Sequence, residues 1–113
     1  MIKTEQLFKL LADTSKLKIF MMLMHDEYCV CDIEKFLSLK QANVSKHLMS
    51  FKRHGLVEGF RENQWIHYRL TPTLESEHEA LYTYLQETKL YKTIEAGLSS
   101  FEKELCHPLK KED

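Results

Sequence analysis

The passage from Gln41 to Leu70 constrains this chain most, because one hydrophobic period gives way to another across a single glycine. Val44, Leu48 and Phe51 lie at i, i+4 and i+7, which is one stripe of a helix running from about Gln41 to His54. Asn43, Ser45, Lys46, Met49, Lys52 and Arg53 fall off that stripe, and Gln41 sits near the helix start. Gly55 stops the helix, since glycine readily takes the left-handed conformation of a helix end. Residues 56–61 and 65–70 are then rich in β-branched and aromatic side chains around the polar turn Glu62-Asn63-Gln64, which predicts a β-hairpin.

The flanks read as further helices. Thr4 is expected to cap a first, with Glu5 in its opening turn and Leu7, Leu10 and Leu11 on one face. Asp13 or Thr14 caps a second, carrying Leu17, Phe20, Met21 and Met24. Asp32 caps a short third, carrying Ile33, Phe36 and Leu37. After Pro72, apolar residues recur every three or four positions from Leu74 through Leu85, Ile94, Leu98 and Phe101 to Leu105. That pattern predicts one long amphipathic helix, or two broken near Gly97 or Lys89. A single helix of about 30 residues would be about 45 Å long. It would overreach a globule of this size, so a homodimer joined through the last and first helices is expected. The fold class is mainly α with a small β-hairpin wing. One domain is expected over 1–113, with a helix-turn-helix about 32–54, the wing about 56–70 and dimerisation helices about 74–106.

Composition narrows the function. At 113 residues with 43% apolar content, the chain suits one folded domain. No apolar run approaches the roughly 18–20 residues of a membrane span. The start, Met1-Ile2-Lys3-Thr4-Glu5, lacks the apolar core of a signal peptide. Three cysteines, an odd number, then read as reduced thiols in the cytoplasm. The net charge of −1 conceals an asymmetry: residues 40–69 carry six Lys/Arg against two Asp/Glu, a local +4. A basic block on one face is the footprint of polyanion binding. No glycine-rich phosphate loop, Ser/His/Asp set or paired carboxylates appears, so catalysis is not expected.

A short helix, a tight turn and a second helix with a polar outer face form a helix-turn-helix, whose second helix fits the DNA major groove. Gln41 and Asn43 suit base edges, adenine above all; Ser45 suits bases or phosphate. Lys46, Lys52 and Arg53 suit phosphates, and Arg61 and Gln64 at the hairpin suit the flanking backbone or minor groove.

The stretch KQANVSKHLMSFKRHGLVEGFRENQWIHYRL, Lys40 to Leu70, strongly resembles the reader helix and wing of the ArsR/SmtB repressors. Gln41, Val44, Ser45, His47, Leu48, Gly55, Leu56 and Val57 match that family's pattern, as do Trp65, Tyr68 and Leu70. Phe8 to Leu23 also resembles the family's first two helices. The resemblance implies a winged-helix homodimer on an imperfect palindrome of double-stranded DNA, with His47 among the DNA-binding positions. Lys40 departs from the family, which usually has a capping Ser there. Lysine cannot accept a bond from helix N–H groups, so the cap must come from elsewhere, with Ser38 the candidate.

Glu27-Tyr28-Cys29-Val30-Cys31-Asp32-Ile33 looks like the ELCVCDL signature of the arsenic- and cadmium-sensing members. Cys-x-Cys matches neither structural zinc spacing nor the Cys-x-x-Cys redox motif. At an irregular helix entry the two thiols can converge, and a helix N-terminus favours thiolate. Two soft thiolates select As(III), Sb(III), Cd(II), Pb(II) or Cu(I) as inducer. Where related arsenic sensors often carry a third cysteine, this chain has Glu34. Cys106 is then the remaining candidate third sulfur, with His107 a borderline ligand. The alternative is a thiol-redox or persulfide response pairing Cys29 or Cys31 with Cys106.

Overall fold

Local chemistry sets most helix boundaries in the computed structural model, which describes residues 2–102. Helix α1 (Thr4–Leu11) buries Leu7, Leu10 and Leu11. Its N-cap is Lys3 rather than Thr4, and the Gln6 side chain accepts the Lys3 N–H at 3.2 Å, which satisfies the N-cap's own backbone donor. Asp13 caps α2 (Thr14–Leu23) by accepting from the Lys16 N–H at 2.9 Å. Five consecutive residues of α2, Ile19 to Leu23, are buried, so the C-terminal half of this helix is enclosed on all sides and lies in the core.

Helix α3 (Val30–Leu37) and helix α4 (Gln41–Arg53) follow. Cys29, not Asp32, is the N-cap of α3; Asp32 is its third helical residue and reaches back to the Cys29 N–H at 3.2 Å. Ser38 ends α3 in the left-handed conformation, φ 57°, and so does not cap α4. Lys40 occupies the N-cap of α4 without a side-chain bond. The stripe of α4 is buried as expected, with Val44, Leu48 and Phe51 at most 1% exposed. Phe51 packs on Phe20 with ring centroids 5.5 Å apart, tying the reader helix to α2. Beyond the His54 C-cap, Gly55 takes φ +75°. The Leu56 N–H bonds the Phe51 carbonyl and the Gly55 N–H that of Lys52, both at 3.0 Å, which closes a Schellman motif.

The hairpin is present, with β2 (Val57–Glu62) and β3 (Trp65–Leu70) in antiparallel register from Val57↔Leu70 to Glu62↔Trp65. Asn63 turns it at φ 61°, a conformation asparagine tolerates better than most residues. A third strand joins it. Strand β1 (Tyr28–Cys29) pairs antiparallel with β3, giving the order β1-β3-β2. Two residues are too few to show a period, so this strand was absent from the sequence expectation.

The C-terminal region corrects that expectation more sharply. It contains three helices rather than one long helix or two: α5 (Thr73–Glu77), α6 (Glu79–Gln86) and α7 (Lys89–Leu98). His78 leaves helical geometry at φ −135°, and Thr88 starts α7 afresh by accepting the Tyr91 N–H at 3.2 Å. The break therefore lies just before Lys89. Gly97 lies inside α7, where a Cβ would come 3.0 Å from Phe36 Cζ; the glycine permits close approach to α3. With the helix folded back, Leu74, Leu85 and Ile94 are buried within the chain's own core. These three residues therefore need no partner chain to cover them, contrary to the expectation from the apolar repeat. Leu105, Cys106, His107 and Pro108 lie outside the described residues.

Candidate nucleic-acid interface and thiol cleft

On α4, the face opposite the buried stripe is a line of exposed residues. Ala42, Lys46, Met49 and Arg53, spaced four, three and four apart, point away from Val44, Leu48 and Phe51. Gln41, Asn43 and Lys52 flank that line and are also exposed, while Ser45 is half-buried. Ala42 and Met49 were not among the sequence candidates because they are apolar. Their signal is exposure, with Met49 at 53%.

His47 faces another way. It is half-buried, with its Nδ1 enclosed. Burial, partly offset by the Asp13 carboxylate, holds its imidazole below the ordinary pKa. Its setting is the start of α2 rather than the outward line of α4.

Arg61 and Gln64 are exposed at the wing tip. Arg69 is spoken for: its Nε donates to Glu58 at 2.8 Å, Nη1 lies 3.6 Å from Glu27, and its guanidinium sits 4.4 Å over the Phe60 ring. Of the basic block, Lys40, Lys46, Lys52, Arg53 and Arg61 therefore remain to present charge outward.

Cys29 and Cys31 sit where this surface meets the sheet. Cys29 is both the last residue of β1, opposite His67 of β3, and the N-cap of α3. It is 2% exposed, and Cys31, the second residue of α3, is half-buried. The Cys29 Sγ lies 3.3 Å from Oδ2 of Asp32, a carboxylate itself only 1% exposed. The two cysteines border a cleft of about 350 Å³. Its other walls come from Glu34, from Gln41 of the reader helix and from Gln64, Trp65 and Tyr68 of the wing. The cleft thus brings together residues that the sequence assigned to two separate tasks. Among the described residues no three His, Cys, Asp or Glu side chains form a ready metal cluster. Cys106 lies outside them.

Helices α3 and α4 with the β2–β3 wing define a winged helix-turn-helix, the architecture of a class of DNA-binding regulators. The chain belongs to the bacterial regulatory proteins of the arsR family, whose model matches residues 13–58. It is 34% identical over 88 residues to an arsenic resistance transcriptional regulator of Pseudomonas putida, covering 76% of each chain. It is 41% identical over 68 residues to the arsenical resistance operon repressor of Escherichia coli, covering 59% of this chain and 58% of that one. A cadmium resistance transcriptional regulatory protein of Listeria innocua is 40% identical over 62 residues, 54% of this chain and 52% of that one. The chain thus spans between about half and three quarters of the length of these curated relatives. Among solved structures, reduced HlyU from Vibrio cholerae superposes with a TM-score of 0.59 at 32% identity, covering 69% of this chain and 83% of that one. The homodimeric winged helix-turn-helix domain of Mb0332 from Mycobacterium bovis gives 0.56 at 26% identity, covering 72% and 80%. These relatives are transcriptional regulators, not enzymes. No helix among the described residues is long and apolar enough to cross a membrane.

Proposed function

We propose that this protein is a cytoplasmic, homodimeric repressor that leaves its DNA operator when a soft metal or metalloid ion binds Cys29 and Cys31. The observation that carries this reading is the shared cleft, which has both cysteines on one wall and Gln41 and Gln64 on another.

In the reduced protein, α4 enters the major groove. Lys46, Lys52 and Arg53 meet phosphates, while Gln41, Asn43 and Ser45 meet base edges. Arg61 and Gln64 of the wing reach the flanking backbone or minor groove. A thiophilic ion such as As(III), Sb(III), Cd(II) or Pb(II) replaces the two thiol protons and draws the sulfurs onto itself. Cys106 supplies a third sulfur where the ion demands one. Movement of Cys29 disturbs its bond with Asp32 and its pairing with His67, so both the start of α3 and the wing shift. Gln41 and Gln64 then lose their alignment. Coupling of this kind is typically worth about 1–3 kcal/mol and is reciprocal, so DNA must also weaken ion binding.

The test is fluorescence anisotropy on a duplex selected from a random pool by the reduced protein. Arsenite or cadmium is expected to raise the apparent Kd at least tenfold, with magnesium inert. A Kd unmoved by every soft ion would refute the sensing mechanism; failure to select any duplex would refute DNA binding.

A further inference from the structure

Phe8, Met49, Ile66 and Tyr84 are the large apolar side chains left exposed among the described residues. Met49 is the one on α4, where it shares the outward line with Ala42, Lys46 and Arg53. We propose that Met49 and Ala42 read the C5-methyl groups of thymine in the major groove, so that the operator carries dT at fixed places under this helix. The inference rests on α4 being the reader helix, and it says which base that helix selects.

The neighbours of Met49 decide what can cover it. Lys46 lies three residues before it and Arg53 four after, so both stand on the same face, about one turn away on either side. Both are exposed, as is Lys52, and α4 contains no acidic residue. An apolar partner helix laid over Met49 would strip water from two cations and return nothing to them. A polyanion keeps both cations paired, and duplex DNA fits because its groove is walled by phosphates. Among the base edges that line the major groove, the one apolar group is the thymine methyl. With Lys46 and Arg53 turned to phosphates, that methyl is the surface Met49 can bury.

The two side chains suit different depths. Methionine is unbranched, flexible and polarisable, so Met49 can extend between its cationic neighbours toward the groove floor. Alanine is short and makes contact only where the backbone comes close. Ala42 is the second residue of α4, at the end of a reader helix whose residues meet base edges. Gln41 beside it suits adenine, and an A·T pair offers adenine N6 and N7 to the amide and the thymine methyl to Ala42. Seven residues separate Ala42 from Met49, about 10.5 Å along the helix. At about 3.4 Å per base pair, the two methyls fall within about three base pairs of each other.

The experiment is a uracil scan of the duplex selected from the random pool, read by anisotropy with the full chain. Each dT is replaced singly by deoxyuridine, which removes the methyl and leaves every hydrogen-bonding group in both grooves. Loss of a contacted methyl should weaken parent binding about fourfold, the equivalent of burying one CH₂ at about 0.8 kcal/mol. Met49→Ala should weaken the unsubstituted duplex by a similar factor and lose its response to deoxyuridine at one position. Met49→Leu, which keeps an apolar side chain, should retain that response. Ala42→Gly should lose the response at a second position, within about three base pairs of the first. A scan in which no thymine matters overturns the proposal. So does a penalty that persists unchanged in Met49→Ala and Ala42→Gly, because the methyl would then act through duplex shape rather than contact. In both cases a Lys46→Ala variant that weakens every duplex alike still holds α4 as the reader, which separates this failure from a failure of DNA binding. If no duplex is selected, the DNA-binding reading fails and this proposal falls with it.

Discussion

Cys29 stands opposite His67 in the antiparallel pairing of β1 with β3. The same His67 faces Phe60 across the other edge of β3, their rings stacked with centroids 5.6 Å apart. A candidate ion ligand is therefore one strand away from the wing's outer strand, and one residue away from the first turn of α3. Cys29 thus adjoins both the wing, through β3, and the start of α3, the helix that precedes α4.

The first prediction concerns the reader helix. Lys46→Ala should weaken binding about equally on all sequences and reduce the slope of log K against log salt by about 1, because it removes one phosphate contact. Gln41→Ala should cost about 1–3 kcal/mol on the selected duplex and relax base preference at one position. Anisotropy titrations over a salt series and a panel of single-base variants check both. Unchanged binding in both variants would mean that α4 is not the reader.

The second concerns the ligands. Cys29→Ser and Cys31→Ser should each still bind DNA but ignore arsenite and cadmium, since a hydroxyl is close in size to a thiol yet is a hard, protonated group. Ion binding should also change the emission of Trp65, the only tryptophan in the chain, which lines the same cleft. A double variant that still releases DNA with either ion would place the sensor elsewhere. Cys106→Ser separates a three-sulfur site from a two-sulfur one: lost response makes Cys106 a ligand, and retained response confines the site to the pair.

A third follows from exposed apolar side chains. Phe8 of α1 is 57% exposed and Tyr84 of α6 is 62% exposed, which suits an interface built from the first and last helical regions. Light scattering should give about twice the chain mass of 13.5 kDa at micromolar concentration. Phe8→Asp and Tyr84→Asp should shift the protein toward monomer with unchanged helical circular dichroism. A monomeric parent protein would end the dimer reading.

The fourth concerns pH. His25 stacks on Tyr91 with centroids 4.3 Å apart, and burial, opposed in part by Glu95, holds its imidazole below the ordinary 6.5. His47 is shifted the same way, by burial first. A histidine with a depressed folded pKa binds its proton more readily in the unfolded chain. Its contribution to stability is complete above 6.5 and is lost as pH falls through the folded value. Urea midpoints should therefore decline as pH drops below about 6.5. His25→Phe, which keeps an aromatic ring without the proton, should make that decline shallower. A variant with the parent's slope would show that His25 does not titrate on unfolding.

The helices, their main apolar faces and the hairpin were legible in the chain because each rests on neighbours in sequence. The Val44, Leu48 and Phe51 stripe is a local period, Asp13 caps by bonding three residues ahead, and Gly55 acts through its own φ. The reader candidates followed from the same period, as polar residues left off the stripe. His47 came from the family resemblance rather than from that period, and its setting beside Asp13, on another element, is not legible from its neighbours in sequence. Cys-x-Cys pointed to soft-ion chemistry from the residue types alone. What the cysteines border was decided only in three dimensions. Strand β1 exists because β3, nearly forty residues later, offers it a hydrogen-bonding edge, and a two-residue strand carries no period of its own. The C-terminal apolar repeat likewise fitted one long helix, until folding back at His78 and Thr88 let Leu85 and Ile94 reach the core. Local patterns specify which face of an element is apolar; the fold determines which distant element covers it, because pairing and burial energies are realised only once both partners are in place.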